Sequence, residues 1–238
     1  MTTIMPVSWN EKTKPHLFCP GCGHAIILKQ LGFAVDEMGI PRDTTFGIDI
    51  GCSLLAWNFF NIDTIQTHHG RTVPVMAGYK MVKPKRVALA YMGEGGAYAI
   101  GLQSLLHAAF RNNPITVVVV NNENYAMTGG QMSPSTLPGT ITATTPHGKT
   151  SGFGPGMKGP ELVRGVADKT AFITRASVSN PMGIKMALKR AIENQIKNNS
   201  FSFVEILSIC PTNWKTNAEA SFDKLKELES YYAIGEVK

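Results

Sequence analysis

The chain is predicted to be an α/β protein, built on a mostly parallel, doubly wound sheet with helices on both faces. Three observations predict it. Two short apolar runs, Val87 to Met92 and Ile115 to Val120, are continuous rather than alternating, as strands covered on both faces are. Between them, Ala97 to Arg111 carries apolar residues at 100, 102, 105, 106, 109 and 110, the spacing of an amphipathic helix. Each run also ends in a polar or glycine-rich cluster, Gly93-Glu94-Gly95-Gly96 and Asn121-Asn122-Glu123-Asn124. A right-handed strand–helix–strand crossover brings both clusters to the same, carboxyl end of the sheet.

The remaining elements continue the alternation. Residues 24–38 read as a helix with Ile26, Ile27, Leu31, Phe33, Ala34 and Met38 as its core face. Thr45 to Cys52 reads as a short strand that ends in a glycine turn, and Leu54 to Phe60 is apolar enough to be mostly core. Pro74 to Met81 reads as a helix. Residues 125–160 are rich in Gly, Pro, Ser and Thr, the composition of a loop lying over a ligand, ordered around Thr128 to Gln131 and less so around Gly152 to Gly159. Helix, strand, helix and strand follow at 160–167, 172–176, 181–198 and 202–209. A chain of 238 residues can bury one substantial core, and no long linker divides it. One domain, 1–215, followed by a C-terminal helical extension, 216–238, is expected.

The chemistry concentrates in the two clusters. Glycines let the backbone approach a ligand closely, and the free N–H groups of the following helix favour a phosphate. Glu94 in that turn and Asn122 at the neighbouring strand end supply hard oxygens that suit a cation bridging to a diphosphate. Two commoner phosphate motifs are excluded. A dinucleotide fingerprint needs glycine where this chain has Tyr98, and Gly148-Lys149-Thr150 lacks the upstream glycine of a P-loop, whose place Ala143 takes. Cys19, Cys22, Cys52 and Cys210 are the four cysteines. Cys19 and Cys22 form a chelating pair in Cys19-Pro20-Gly21-Cys22-Gly23-His24, and four thiolates suit tetrahedral zinc or a [4Fe–4S] cluster. Spacing does not separate these. Adjacent His68 and His69 diverge in direction and lack a third ligand, and His107 reads as a packed or capping residue.

The combination of Gly93-Glu94-Gly95-Gly96 with Asn121-Asn122 resembles the diphosphate-binding signature of thiamine diphosphate enzymes. More narrowly, Tyr125 to Thr136, the Cys19 to His24 turn and His69-Gly70-Arg71 resemble the β subunit of 2-oxoacid:ferredoxin oxidoreductases, with most likeness to 2-oxoisovalerate-type members. The resemblance covers roughly residues 15–215 in unbroken order.

It implies a thiamine diphosphate-binding fold and oxidative decarboxylation of a 2-oxoacid with coenzyme A, giving acyl-CoA and CO₂ with electrons leaving through an iron–sulfur cluster. By the same resemblance, Cys52, Ser53, His69, Gly93, Glu94, Gly95, Gly96, Asn122, Asn124, Ala126, Met127 and Thr128 contact the cofactor. Glu94, Asn122 and Asn124 hold Mg²⁺, and Cys19, Cys22, Cys52 and Cys210 hold one [4Fe–4S] cluster. Arg71 fixes the loop or a subunit contact. The family usually has aspartate where this chain has Glu94; the extra methylene moves the carboxylate by about 1.5 Å, so the metal shifts or a water intervenes. No catalytic residue is assigned to this chain, because in the family the glutamate that activates the aminopyrimidine comes from a separate α subunit. Further γ/δ-type subunits and ferredoxin or another acceptor are the other implied partners. The stretch Asp49 to Trp57 points to a branched-chain or aromatic substrate. The alternatives are a non-redox thiamine diphosphate decarboxylase with a structural zinc site and a degenerate, non-catalytic subunit.

Composition bounds the rest. The net charge of +6 arises from basic residues scattered singly, without the clustered stripe that nucleic-acid binding needs. A hydrophobic content of 43% against 17% charged residues leans towards an oligomer. Met1 to Asn10 lacks the basic and apolar regions of a signal peptide, and no apolar run approaches a membrane span, so a cytoplasmic protein is expected.

Overall fold

The computed structural model describes residues 5–238, and residues 1–4, part of the stretch read as lacking a signal peptide, lie outside it. The strands of the main sheet are β1 (Thr44–Ile48), β2 (Asp63–Gln66), β3 (Val87–Gly93) and β4 (Thr116–Asn121), and later β7 (Phe172–Ser177), β8 (Ser202–Leu207) and β9 (Gly235–Glu236). A separate two-residue hairpin, β5 (Asn124–Tyr125) with β6 (Gln131–Met132), lies between them. The spatial order is β2-β1-β3-β4-β8-β7-β9, parallel throughout except that β9 runs antiparallel to β7.

The continuous apolar runs are explained by two cores, one on each face. Along β3, Leu89 and Tyr91 enter one core while Ala88, Ala90 and Met92 enter the other; along β4, Val118 and Val120 alternate with Val117 and Val119 in the same way. The first core is covered by α1 (Gly23–Glu37), α5 (Pro181–Lys197) and α7 (Ala218–Tyr231), the second by α2 (Thr72–Val82), α3 (Leu102–Phe110) and α4 (Gly159–Arg164). Each fully buried Leu, Ile or Val is worth about 1.5–3 kcal/mol relative to exposure. Local signals start the helices where expected. Asn180 caps α5 by accepting from the Gly183 N–H at 2.9 Å, with Pro181 at the first helical position, and Asn217 caps α7 from Ala220 at 2.9 Å.

Several expectations need correction. The buried face of α1 consists of Ile27, Leu28, Leu31, Ala34 and Val35, with Phe33 only half-buried. The helix after the glycine turn is not one α-helix: Gly96–Ile100 form a π-helical turn, closed by the Gly101 N–H donating to the Gly96 carbonyl at 2.9 Å, before α3 begins. His107 is exposed, not packed. In the apolar stretch after Cys52, Ala56, Phe59 and Phe60 are buried, but Trp57 is 53% exposed. The segment 216–238 is helical only to Tyr231. Its Leu225, Leu228 and Tyr232 join the first core and its tail pairs with β7 as β9.

Beneath the carboxyl ends of the central strands lies a buried polar network. Arg175 of β7 and Glu205 of β8 are register partners and form a fully buried ion pair. The other carboxylate oxygen of Glu205 accepts from the Tyr98 hydroxyl at 2.5 Å and the Asn121 amide at 3.2 Å. Arg175 also grips Glu161 of α4 with both terminal nitrogens, at 2.9 and 2.6 Å. The π-helical turn and the end of β4 are thereby tied to the far edge of the sheet.

Candidate active site

The parallel order sets the carboxyl ends of β1, β3 and β4 side by side, and the segments that leave them surround one cavity. Every residue read as cofactor-contacting lines it: Cys52 and Ser53 after β1, the Gly93 to Gly96 turn after β3, Asn122 and Asn124 after β4, His69, and Ala126, Met127 and Thr128 of the following turn. His24, Ile50, Gly51, Val120 and Tyr125 complete the wall.

The turn after β3 is fitted to its neighbours as well as to a ligand. A Cβ on Gly95 would collide with the Tyr125 ring, and one on Gly96 with the Asp49 carboxylate; Gly93 has open space at the same point. The glycines at 95 and 96 are therefore required by packing, which lets the backbone form the cavity floor. Glu94 is almost fully buried and its Oε1 has no hydrogen-bond partner; the same holds for Asn124 Oδ1. Burial pushes the Glu94 carboxyl up to about 8, opposed by the Ser133 hydroxyl. Two orphaned oxygens, one from each strand end, face one cavity. Buried acceptors without donors are costly, and a hard cation satisfies both. Asn122 uses its carbonyl to accept the Asn124 amide at 2.7 Å and the Trp214 indole N–H at 3.1 Å, which fixes the loop between them.

His69 is oriented from behind. Its Nδ1 donates to the Ile50 carbonyl at 2.8 Å and lies 3.3 Å from the buried Asp49 carboxylate. Arg71 donates to the Ile100 carbonyl at 3.1 Å, so it fixes the loop against the end of the π-helical turn. The Thr128 to Gln131 turn is closed on itself by the Gln131 amide donating to the Thr128 carbonyl at 2.8 Å, and Asn213 donates to the Ala126 carbonyl at 2.7 Å. The stretch from Gly152 to Gly159, expected to be less ordered, is held too. Tyr231 donates to the Gly156 carbonyl at 2.9 Å, and Gly159 packs so tightly on the Tyr98 ring that no Cβ fits.

The four cysteines approach one another although they come from three segments: the Cys19–Cys22 turn, the turn after β1 and the end of β8. Burial is the main cause that pushes Cys22 and Cys52 up to about 12, and charge on the other thiols adds to it; Cys210 is also raised, chiefly by burial. Each pair among the four is close enough for this mutual effect. Without a cation Cys22, Cys52 and Cys210 stay protonated, and as thiolates they need one. Among the described residues, no three His, Cys, Asp or Glu side chains converge on a single-ion position.

Residues 49–206 match the family model described as thiamine pyrophosphate enzyme, C-terminal TPP binding domain. The chain belongs to this family. Within it, the chain groups with subunits of 2-oxoacid:ferredoxin oxidoreductases. It is 39% identical over 214 residues to ketoisovalerate oxidoreductase subunit VorA of Methanothermobacter marburgensis, a match that covers 88% of this chain and 45% of that subunit. It is 33% identical to 2-oxoglutarate synthase subunit KorB of Archaeoglobus fulgidus, over 90% of this chain and 76% of that one. A solved 2-oxoglutarate:ferredoxin oxidoreductase from Magnetococcus marinus, with 2-oxoglutarate, coenzyme A and succinyl-CoA bound, superposes with a TM-score of 0.82 at 27% identity, covering 96% of this chain and 74% of that one. The chain thus spans less than half the length of the ketoisovalerate oxidoreductase subunit it matches.

For a thiamine pyrophosphate-binding domain, the cavity is where the fold places a ligand: outside the carboxyl ends of parallel strands. Five wall residues were not assigned a cofactor contact from sequence. His24 had a signal, since it closes the cysteine motif, and Tyr125 opens the stretch that carries the resemblance. Gly51 lies in the glycine turn after β1, while Ile50 of that turn and Val120 of β4 are ordinary apolar residues whose position only the fold reveals. No helix of the described residues is long and apolar enough to cross a membrane.

Proposed function

We propose that this chain is the thiamine diphosphate-binding subunit of a 2-oxoacid:acceptor oxidoreductase that converts a 2-oxoacid and coenzyme A to acyl-CoA and CO₂. The observation that carries this reading is the convergence, on one cavity, of a glycine turn without room for a side chain at Gly95 or Gly96, two orphaned buried oxygens and Cys52, whose thiol feels the charge of the other three cysteines.

The residues fit thiamine diphosphate, Mg²⁺ and a [4Fe–4S] cluster. Glu94, Asn122 and Asn124 would hold the metal, and the backbone of Gly95 and Gly96 with His69 would receive the diphosphate. Cys19, Cys22, Cys52 and Cys210 would hold the cluster. When bound, thiamine diphosphate supplies the electron sink for decarboxylation and the cluster the one-electron acceptor. The chain's own contribution is position and exclusion: Asp49 and Ile50 aim His69, Trp214 and Asn213 fix the loops at the mouth, and the apolar wall at Ile50 and Val120 keeps water out. Four thiolates on one tetrahedral ion would lie about 3.8 Å apart, from the usual Zn–S length. Iron and sulfide content measured against zinc separates a cluster from a single ion.

The family resemblance implies an α subunit that supplies the glutamate for the aminopyrimidine, and it belongs to the proposal, together with further γ/δ-type subunits, ferredoxin or a similar acceptor, and a cytoplasmic setting. Similarity to the ketoisovalerate oxidoreductase subunit favours a branched-chain 2-oxoacid. The test is purification of the assembled complex, with iron, sulfide, zinc and thiamine diphosphate measured and a panel of 2-oxoacids assayed with coenzyme A and a viologen dye. Iron and sulfide at one cluster per chain, with dye reduction fastest on the branched-chain acid, is expected. Zinc without iron would move the reading to a non-redox thiamine enzyme, and no bound thiamine diphosphate would mean a non-catalytic subunit.

A further inference from the structure

Asp49 is a buried carboxylate that none of the expected contacts uses. It is wholly inaccessible, at the carboxyl end of β1. Its Oδ1 accepts the Gly70 N–H at 2.7 Å and the Thr72 hydroxyl at 3.1 Å. Its Oδ2 has no hydrogen-bond partner; it faces His69 Nδ1 at 3.3 Å and leaves room at Gly96 for a hydrogen only. The two oxygens do different work. Oδ1 builds the turn that carries His69, and Oδ2 brings an uncompensated negative charge to the back of the ring.

The ring itself is constrained. Because Nδ1 donates to the Ile50 carbonyl, the neutral imidazole has its proton there and only a lone pair on Nε2, the nitrogen left free for the cavity. A lone pair repels a phosphate oxygen. To hold one, the ring must carry protons on both nitrogens, and the charge so created lies against Asp49. The other titratable groups around the ring do not replace Asp49. Glu94 and Cys52 lie elsewhere on the cavity wall, the Tyr125 ring is 6.3 Å away, and Arg71 is spent on the Ile100 carbonyl. Burial pushes the Asp49 carboxyl above its usual range and a charged His69 pulls it back.

We propose that Asp49 is a positioning residue and charge partner for His69, and that the pair takes up a proton when the diphosphate of the cofactor binds at Nε2. This rests on the thiamine diphosphate reading above and adds to it the state of the group that meets the anion.

The experiment is calorimetric titration of thiamine diphosphate into the purified assembly at saturating Mg²⁺, in buffers of different ionisation enthalpy at one slightly alkaline pH. The dependence of the observed enthalpy on the buffer gives the protons taken up. Comparing variants at fixed Mg²⁺ cancels any proton released by Glu94. Asp49→Asn keeps an oxygen for Gly70 and Thr72 but removes the charge. It should lower proton uptake markedly and weaken binding about tenfold, whereas in a His69→Gln background the same change should alter affinity less than about twofold. His69→Gln alone should abolish the extra uptake, which tests the proposal even if Asp49→Asn fails to fold. Equal uptake in wild type and Asp49→Asn, or equal weakening in both backgrounds, overturns the proposal. Binding with the same net proton exchange in wild type and His69→Gln overturns this inference alone, and no binding at all overturns the thiamine diphosphate reading with it.

Discussion

His24 Nδ1 lies 2.6 Å from the Tyr91 hydroxyl, with both rings buried and Phe18 stacked on the imidazole at 5.2 Å between centroids. Burial holds the imidazole down to about 4, from an ordinary value of 6.5. The unfolded chain therefore takes up a proton at this histidine below pH 6.5 and the folded chain only near pH 4. The stabilisation is complete above pH 6.5 and is lost progressively as pH falls to 4, by about 3 kcal/mol in all. Urea unfolding of the metal-free chain at pH 7 and pH 4.5 should show this loss. His24→Gln should remove most of the difference between the two pH values; an unchanged difference would locate the acid sensitivity elsewhere.

Arg175 and Glu205 make a second buried pair, and here removal of one partner leaves the other charge stranded. Arg175→Met should destabilise the chain by about 3–5 kcal/mol. Replacing Glu205 by Leu in the same chain should recover part of that loss, because the stranded charge is then gone. A recovery of nothing would show that Glu161 and the Ala233 carbonyl, which also bind Arg175, dominate.

How much of this was legible follows from where the information resides. The strands Val87 to Met92 and Ile115 to Val120 were readable because both faces are buried, so every position had to be apolar. β2, with the exposed sequence Asp63-Thr64-Ile65-Gln66 at the sheet edge, had no such demand and gave no pattern. β9 exists because β7 offers a free edge, a fact about the partner rather than about Gly235 and Glu236. The π-helical turn was hidden because its apolar residues keep helical spacing; the extra residue shows only in the Gly96 to Gly101 bond. The cavity residues were readable where the motif is local, as in Gly93 to Gly96. Asp49 behind His69 was not, since the pair is joined only when β1 and the loop before α2 are folded together.

The glycine turn permits a test with its own control. Gly96→Ala would drive a methyl into the Asp49 carboxylate and against His69, costing about 1–3 kcal/mol and displacing the cavity floor. Thiamine diphosphate affinity should fall at least tenfold, or about 1.4 kcal/mol. Gly93→Ala meets open space and should change stability by no more than about 0.5 kcal/mol. Comparable losses of stability for both variants, by thermal melting of the cofactor-free protein, would contradict the packing account.

Cys210, delivered by the end of β8, is the cysteine most distant in sequence from the Cys19–Cys22 turn. If the four thiols act as one set, Cys210→Ser should lose the cluster or leave a three-iron form, with loss of iron and of absorbance near 400 nm in the purified assembly. Unchanged iron content and spectrum would remove Cys210 from the ligand set.

Glu94 decides whether a glutamate can serve where the family usually has aspartate. Its Oε1 is buried without a partner, and Asn124 Oδ1 is orphaned in the same cavity. A metal-free site of this kind holds the Glu94 carboxyl protonated near neutrality, since burial puts it at about 8; Mg²⁺ must displace that proton. Metal-dependent cofactor binding should therefore strengthen as pH rises through 8 and weaken as it falls. Glu94→Gln replaces the anionic oxygen by a neutral one that carries no proton to displace. It should weaken metal-dependent thiamine diphosphate binding by at least tenfold, about 1.4 kcal/mol, and flatten the pH dependence. Glu94→Asp would draw the carboxylate back by about 1.5 Å, and it should retain binding if a water can fill the gap to the metal. Mg²⁺ titrations of the three proteins between pH 6.5 and about 9 separate these outcomes. Equal affinity for wild type and Glu94→Gln would mean that the carboxylate is a buried turn residue and that the asparagines alone hold the cation.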